Sequence, residues 1–598
     1  MIVRLVKKEH SNSSPRFPSR LFQAAWLSLM VFLLSKAGAA PYPVIPLSSS
    51  PKFVAWPGQP ACLVIRGVTD GGGVWELGDA PVQVVTGLVH DAVLGPGAKL
   101  RVLEGPGTVM PDGSIWRAGA TEYTQEDGRL RPVPGGGSPV GIPLAADPFG
   151  NWWTGRGKGE GGAAVVAVLP FGNRTNWVAV TGCPVRPEAT QVLVVADDVG
   201  GVWVSDGVAL WRCDPRQVEA GWKRMDKHLP RAGISALGVA ADGAALIGFA
   251  SGEVGVCDVD AGGRILYRRE TAGQGAAVRA VHADDDGNTW MVRGTALERV
   301  PRSVGAWQRG WRAAGRLPCG NHDLTAAVVD GVFYLAGGLA LSCGYPAKPR
   351  ILDTVLAYDA ARCLWVERAH LVSGRAGSGL AAFNGNVWIV NGHAATAKGT
   401  MATRAVDIFD PVKGTLTPGP ATRHARSMAV AAVLAGRLYV ITCGVHGREV
   451  RAEMESLGPG ETVWRDEGVA PCDVEAAVGC EYRGLLYLQV ESAGLMSYDP
   501  ATRVWRTDHA VPPDNRYRSA QVTVYKNRLW FVGGRGTPTE TGSFSYDGVT
   551  DVWRAEAPAP RPCAWGAASS VSGRLLITGG AIGRCCSDQT YTMRSEVQ

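Results

Sequence analysis

The sequence predicts an all-β protein made of two tandem β-propellers, of which the C-terminal one is six-bladed. The 78 Gly and 38 Pro residues supply tight turns, and the many Val and 20 Trp residues favour short strands. Two series of segments also repeat at the period of a propeller blade. We therefore divide the 598-residue chain into an N-terminal segment (1–40) and two propellers (41–300 and 301–598).

The first 40 residues have the three-part pattern of a secretory signal peptide. An apolar run covers residues 21–34, and Ala37-Gly38-Ala39 then offers a cleavage site of the A-x-A type. The run is short for a membrane span, which needs roughly 20 apolar residues. We expect a secreted, periplasmic or cell-surface protein, with an uncleaved membrane anchor as the alternative. The basic region before the run contains Arg4, Lys7, Lys8, Arg16 and Arg20.

Net charge argues against a nucleic-acid partner. The formal charge is +6, but residues 1–36 hold six Lys/Arg against one acid, Glu9. The remainder is therefore close to neutral and has no basic stripe. A membrane partner is expected only if the apolar segment stays uncleaved.

Thirteen cysteines in an exported chain suggest disulfides. The number is odd and no C-x-x-C pair occurs, which excludes a zinc ribbon and a haem attachment motif. We expect mostly buried, small apolar side chains with one or two bridges, whose connectivity the sequence leaves open.

Six apolar segments repeat in the C-terminal half. They align on one apolar or aromatic position, with spacings of 54, 51, 48, 43 and 46 residues. Each repeat of this length forms a four-stranded sheet that must stack on its neighbours to bury both faces. The aligned residues are Tyr334, Trp388, Tyr439, Tyr487, Trp530 and Leu576.

Further landmarks make these repeats resemble the kelch family. A glycine doublet follows the apolar strand in three repeats (Gly337-Gly338, Gly533-Gly534 and Gly579-Gly580), and a Tyr/Phe-Asp with a spaced Trp follows in several. The last repeat has no Trp-bearing fourth strand, whereas an orphan strand ending at Trp311 precedes the first. We expect this orphan strand to complete the last blade and remove an exposed edge.

Residues 41–300 repeat less clearly, around Trp75, Trp116, Trp153, Trp203, Leu246 and Trp290. Residues 283–294 resemble the repeat of two-component-regulator sensor propellers, with Asp-x-x-Gly-Asn-x-Trp and then a Gly turn. This resemblance implies a second propeller of six or seven blades. It departs from the helical BTB and BACK domains of kelch-containing ubiquitin-ligase adaptors, so we reject a cytosolic adaptor.

No catalytic motif is recognisable, so the catalytic residues are unknown and we expect no cofactor and no metal site. The kelch resemblance also includes a copper radical oxidase, but its Tyr–His ligand pair has no counterpart here. It includes a sialic-acid mutarotase/epimerase, which supplies the alternative that the chain is a carbohydrate-active enzyme. The leading hypothesis is a recognition protein that binds carbohydrate or another protein.

A candidate anion site lies just before the innermost strands. We expect the polar residues at these positions to share one repeat phase, which would gather them around one mouth of the central channel. Arginines at such a mouth favour carboxylate or sulfate groups through paired hydrogen bonds. The alternative is that each arginine bonds loop carbonyls or an acid of a neighbouring blade. The candidates are His322, Arg375, Arg423, Asp473, Arg516, Arg518 and Arg561.

Overall fold

The computed structural model describes residues 145–593 with short gaps, and only backbone strands between residues 45 and 132. The chain divides into two units, Met1–Pro43 and Val44–Gln598, and the predicted signal peptide lies outside the described residues. The gaps after residue 145 are 159–162, 174–175, 198–199, 241–243, 260–264, 274, 284–288, 294–295, 301–310, 361–363, 397–398, 442–451, 472–476, 491–492, 513–518, 535–540, 561–562 and 583–584.

The described strands of the N-terminal half form six antiparallel sheets, A to F, and each predicted repeat residue lies in a different sheet. Sheet A is five-stranded and the other five sheets are four-stranded; an N-terminal strand completes sheet F. The strands are Lys52–Val54, Cys62–Ile65, Gly73–Glu76, Val93–Gly95 and Ala98–Val102 (A); Thr108–Val109, Ile115–Trp116, Tyr123–Glu126 and Arg129–Pro132 (B); Ala145–Ala146, Trp152–Arg156, Val165–Leu169 and Val178–Ala179 (C); Leu193–Ala196, Val202–Ser205, Leu210–Cys213 and Lys223–Arg224 (D); Ile234–Val239, Ala245–Phe249, Val254–Val259 and Ile265–Thr271 (E); and Val278–Ala283, Thr289–Arg293, Ala296–Val300 and Ile45–Pro46 (F).

The C-terminal half forms six four-stranded blades, numbered 1 to 6 in chain order. The strands, from the inner to the outer edge, are Ala326–Val329, Val332–Ala336, Thr354–Asp359 and Leu364–His370 (blade 1); Gly379–Phe383, Asn386–Val390, Val406–Asp410 and Thr415–Pro418 (blade 2); Val430–Leu434, Arg437–Ile441, Glu453–Leu457 and Arg465–Val469 (blade 3); Val478–Tyr482, Leu485–Val490, Gly494–Asp499 and Val504–Arg506 (blade 4); Gln521–Tyr525, Arg528–Val532, Ser543–Asp547 and Val552–Ala555 (blade 5); and Ala567–Val571, Arg574–Thr578, Gln589–Met593 and Trp311–Arg316 (blade 6).

The six inner strands contact one another in cyclic order, and blade 6 contacts blade 1, so the C-terminal half is a closed ring. The strand Trp311–Arg316 pairs with Gln589–Met593 as the outer edge of blade 6. The predicted all-β propeller fold is therefore confirmed, as is the completion of the last blade by a strand that precedes the first. The closing strand begins at Trp311, however, where the predicted strand ended, and residues 304–310 lie outside the described residues. The predicted boundary at residue 301 falls in a segment outside the described residues.

Each pair of neighbouring blades encloses an apolar cluster. Between blades 1 and 2, Tyr334 and Val355 pack with Ile389 and Phe409, and the rings of Tyr334 and Phe409 lie 5.9 Å apart. Corresponding clusters lie at the other five blade junctions. Burying a large apolar side chain contributes about 1.5–3 kcal/mol, so these junctions supply most of the ring's stability.

Among the described residues, three blades carry an insert between their second and third strands. Blade 1 carries the hairpin Leu339–Cys343 and Lys348–Ile351, and blade 6 carries a short one at Ala581–Ile582 and Cys585–Cys586. In blade 2, His393–Thr396 and Gly399–Ala402 form a small sheet with Arg375–Ala376. The inner and second strands of a blade are antiparallel, so the inner strand begins at the end of the ring where the second strand finishes. The loops that enter the inner strands and these inserts therefore lie at one end of the ring, which we call its mouth.

The blade 1 hairpin connects the two halves of the chain. Its tip places the ring of Tyr345 edge-on against Trp153 of sheet C at 5.4 Å. The backbone N–H of Gly344 donates to the carbonyl of Phe149 at 3.0 Å, and that of Gly320 donates to Pro148 at 2.7 Å. Sheet C is thereby held against the mouth end of the ring.

In sheets C and D, an aspartate six residues before the repeat tryptophan explains the motif Asp-x-x-Gly that precedes this tryptophan. Buried Asp147 accepts hydrogen bonds from the indole of Trp153 at 2.8 Å and from the backbone of Phe149 and Asn151 at 3.0 Å. Asp197 accepts from Trp203 in the same way at 2.9 Å. Burial raises the pKa of Asp147 to about 6, although these hydrogen bonds oppose the shift.

Helices are minor in the described part, where two 3-10 turns occur at Val218–Ala220 and Asp226–His228. Among the described residues, no helix has the length and apolar character that crossing a membrane requires.

A buried histidine joins blades 4 and 5. The side chain of His509 is 1% exposed; its Nε2 lies 2.9 Å from the hydroxyl of Ser497 and its Nδ1 lies 3.0 Å from that of Tyr546. Tyr546 in turn donates to Asp551 at 2.5 Å. Burial, assisted by the charge of Arg506, lowers the pKa of His509.

We expect acid to weaken this blade junction. The folded pKa of His509 lies below the ordinary value of about 6.5, so the folded protein binds fewer protons than the unfolded chain. Its contribution to stability is complete above about pH 6.5 and is lost as the pH falls from there through the folded pKa. Urea denaturation between pH 7.5 and 5 should show a steeper loss of unfolding free energy for the wild type than for His509→Gln. Parallel curves for the two proteins would contradict this.

Candidate functional site

A cavity of ≈ 160 Å³ opens at the mouth of the ring and extends down its axis. All six blades line it with the first residues of their inner strands, which are mostly small. Small residues are needed here because six strands converge on the axis. The larger and polar lining side chains are Asp323, Thr325, Met428, Cys480, Thr523 and Trp565.

A ring of left-handed backbone residues forms the rim of this cavity. Each lies four residues before the inner-strand residue that pairs with the aligned Tyr, Trp or Leu of the second strand. Glycine occupies this position in one blade, but Asp, Met, Ser and Trp occupy it in the others, at a cost of roughly 1–2 kcal/mol each. The residues and their φ angles are Asp323 (56°), Gly377 (62°), Met428 (52°), Ser519 (61°) and Trp565 (55°).

The left-handed conformation lets these residues hydrogen-bond to the next blade. The carbonyl of Asp323 accepts from Gly377 at 3.0 Å, and that of Gly377 accepts from Ala429 at 2.9 Å. The carbonyl of Trp565 accepts from Leu324 at 3.0 Å, while Trp565 itself donates to Ser519 at 2.8 Å. We call this chain of bonds the carbonyl belt. It fixes the rim side chains relative to one another.

His322 lies at the rim, between blades 1 and 6. Its Nδ1 is 2.8 Å from the carboxylate of Asp323, and its ring centroid is 6.1 Å from that of Trp565. Its backbone bonds in both directions to Leu339 of the hairpin. His322 is buried, whereas Asp323 and Trp565 are half-buried and line the cavity. The structure thus brings an imidazole, a carboxylate and an indole together.

Arg375 is buried beneath the rim and bound within its own blade. Its side chain is 2% exposed, pairs with the carboxylate of Asp407, and donates to the carbonyl of Ala405 at 2.9 Å. Burial lowers the pKa of Arg375, while the nearby Asp407 opposes the shift. This geometry matches the alternative in which an arginine bonds loop carbonyls and an acid.

The counterpart of Arg375 in blade 3 is Arg426. Both lie six residues before the paired inner-strand alanine, Ala381 or Ala432. Arg426 is also fully buried and pairs with Glu455 at 2.6 Å, the position equivalent to Asp407. The expectation that the candidates share one repeat phase is therefore wrong: His322, Arg375 and Arg423 lie five, six and nine residues before this reference position, because the loops that enter the blades differ in length.

Arg423 is the exposed arginine of this loop. Its guanidinium lies 3.2 Å from Asp466 on the outer strand of blade 3, and its side chain is 46% exposed. Its backbone N–H and that of His424 donate to Glu455 at 2.8 and 3.1 Å. Glu455 thus organises the loop, and Arg423 lies over the outer part of the blade.

The other candidates, Asp473, Arg516, Arg518 and Arg561, lie outside the described residues. Their role in binding stays a prediction. Among the described residues, no cluster of three or more His, Cys, Asp or Glu side chains is arranged to hold a metal ion.

Sequence reasoning missed Trp565 and Met428 at the rim and Arg426 below it. The left-handed position has no sequence signal, since five different residue types occupy it in the five described blades. The sequence does contain a signal for Arg426. It lies as many residues before the small residues of its inner strand as Arg375 does, so aligning the blades on their inner strands would have identified it.

The chain is similar to a curated protein and to a solved structure. Kelch-like protein 35 of Mus musculus is 27% identical over 197 residues, which is 32% of this chain and 33% of that protein. The chain thus spans about a third of the length of this curated relative. The solved structure of YjhT aligns with a TM-score of 0.40 and 14% identity, over 47% of this chain and 97% of that chain. No protein-family model matches the chain.

The fold class follows from the ring and its repeats. Six four-stranded blades closed by a strand that precedes the first, with glycine doublets after the second strands of three of them, define a kelch-type β-propeller. The C-terminal half of the chain has this fold.

We expect Arg426 to be structural. Removing one partner of a buried ion pair leaves the other charge uncompensated and costs about 3–5 kcal/mol. Arg426→Met should therefore lower the unfolding free energy of the ring by about that amount, and adding Glu455→Leu should restore part of it. Arg423→Met, in the same loop but exposed, should cost less than about 1 kcal/mol. Equal stabilities of Arg426→Met and Arg423→Met in guanidinium denaturation would contradict this.

Proposed function

We propose that the chain is an exported recognition protein that binds a carbohydrate group in the cavity at the mouth of its C-terminal ring. The observation that carries the proposal is the juxtaposition of Trp565 and Asp323 on the wall of this cavity. An indole offers an apolar face to a sugar ring, and a carboxylate accepts hydrogen bonds from its hydroxyl groups.

Preorganisation of the rim supports binding at this place. The carbonyl belt holds Asp323 and Trp565 on strained backbone, and such strain is found at functional sites more often than elsewhere. A rigid rim loses little entropy when a ligand binds.

A buried amide beside the cavity adds a polar partner. Gln521 is 1% exposed, and neither polar atom of its side chain has a hydrogen-bond partner in the structure. It lies directly behind Gly566 of the cavity wall, where an added Cβ would come within 2.3 Å of its Nε2. An unsatisfied buried amide costs about 1–3 kcal/mol, so a ligand hydroxyl that reached it would be favoured.

An acidic substituent on the carbohydrate remains part of the proposal. Among the described arginines, Arg375 and Arg426 are engaged internally, and Arg423 lies over the outer strands of blade 3. Charge-assisted binding of a carboxylate therefore depends on Arg516, Arg518 and Arg561, which lie outside the described residues.

Carbohydrate binding should depend on the indole. In titration calorimetry with a panel of neutral and acidic sugars (galactose, N-acetylglucosamine, glucuronic acid and N-acetylneuraminic acid), Trp565→Ala should weaken binding of the best ligand by about 10-fold or more. Trp565→Phe should retain most of the affinity. If the ligand is acidic, Arg516→Ala combined with Arg561→Ala should selectively weaken its binding.

A matched control and two possible outcomes test the proposed carbohydrate site. Arg465→Ala removes an exposed arginine of blade 3 at the end of the ring away from the mouth, and it should leave binding unchanged. Binding that is insensitive to Trp565→Ala would overturn the site. Catalytic exchange of sugar anomers, followed by NMR, would replace recognition with the enzymatic alternative.

A further inference from the structure

Three buried thiols lie together beside the junction of the two halves. Cys319 precedes the rim of blade 1, Cys343 lies at the tip of the blade 1 hairpin, and Cys586 lies in the blade 6 insert. They are 3%, 6% and 4% exposed, respectively. Cys319 and Cys343 share a small apolar cluster with Ala340, Leu352 and Phe171, and the thiol of Cys319 donates to the carbonyl of Ser342, next to Cys343, at 3.9 Å.

We propose that Cys319 and Cys343 form a disulfide that fastens the rim of the C-terminal ring to the hairpin docked on sheet C. The two buried thiols lie in one apolar cluster, and each belongs to a segment that binds the N-terminal half. Gly320, next to Cys319, donates to Pro148 at 2.7 Å, and Gly344, next to Cys343, donates to Phe149 at 3.0 Å. One covalent bond would therefore link two backbone segments that hold consecutive residues of sheet C.

We expect Cys343 to be the attacking sulfur. The neighbouring thiol of Cys319, with Arg350, lowers the pKa of Cys343, although burial opposes the shift. The neighbouring thiol of Cys343 and burial raise the pKa of Cys319, so this thiol keeps its proton.

The reaction balances with a disulfide oxidant such as oxidised glutathione. The thiolate of Cys343 attacks one glutathione sulfur, forms a mixed disulfide and releases reduced glutathione. The sulfur of Cys319 then displaces the second glutathione and loses its proton to it. Two thiols are oxidised, one glutathione disulfide is reduced, and two reduced glutathiones leave.

Cys586 is the competing partner. Its sulfur accepts a hydrogen bond from the backbone N–H of Leu341 at 3.2 Å and contacts the carbonyl of Leu339 at 3.6 Å. These contacts engage its sulfur with the hairpin backbone.

Non-reducing peptide mapping of the full chain tests the pairing. The protein is refolded with oxidised glutathione, its free thiols are alkylated, and its peptides are identified by mass spectrometry. We expect a peptide pair linked through Cys319 and Cys343. Alkylation of both residues, or a bridge from either one to Cys586 or another cysteine, would overturn the proposal.

Thermal unfolding supplies a second readout. A bridge that closes a loop of about 25 residues should raise the Tm of the oxidised wild type above that of the reduced protein by roughly 5–10 °C. This difference should vanish in Cys319→Ala/Cys343→Ala. It should persist in Cys257→Ala, which removes a buried cysteine of sheet E. An equal difference in the double variant would mean that another bridge causes it.

Discussion

Closure of the C-terminal ring is the constraint on which the rest of this half depends. A blade is apolar on both faces and must be covered by two neighbours, so an open series would expose two apolar faces. The chain closes the series by pairing Trp311–Arg316 with Gln589–Met593. Buried Asp588 adds to this closure by accepting from Arg316 at 2.8 Å, and its carbonyl accepts from Leu317 at 2.6 Å.

The same closure creates the candidate site. Once the inner strands are held in a ring, the residues that lead into them must turn sharply at the mouth, and their carbonyls can reach the next blade. The carbonyl belt uses that geometry, and the strain of non-glycine residues at positive φ is offset by the hydrogen bonds gained. Trp565 and Asp323 are therefore fixed on the cavity wall by the architecture of the ring.

The repeats made the fold predictable because each blade needs one set of apolar strands, and these strands recur in the sequence at a regular spacing. The six aligned residues from Tyr334 to Leu576 each lie in the second strand of a separate blade, and the strand that begins at Trp311 closes the ring. In sheets C and D of the N-terminal half, the hydrogen bond from the tryptophan indole to the aspartate six residues earlier explains the motif Asp-x-x-Gly.

The site was less predictable because side-chain direction depends on loop length and on backbone conformation. Arg375 and Arg423 look alike in sequence, yet one is buried against Asp407 and the other lies over an outer strand beside Asp466. The residues at the left-handed rim share a conformation but no chemistry, so no pattern marks them.

Native-state hydrogen exchange of the closing strand tests the central claim most directly. If closure holds the ring together, the amides of Trp311–Arg316 and Gln589–Met593 should exchange only with global unfolding, at the same free energy as the inner strands of blades 1 and 6. Exchange of Trp311–Arg316 at a much lower free energy, while the six inner strands stay protected, would show that the ring does not depend on its closing strand.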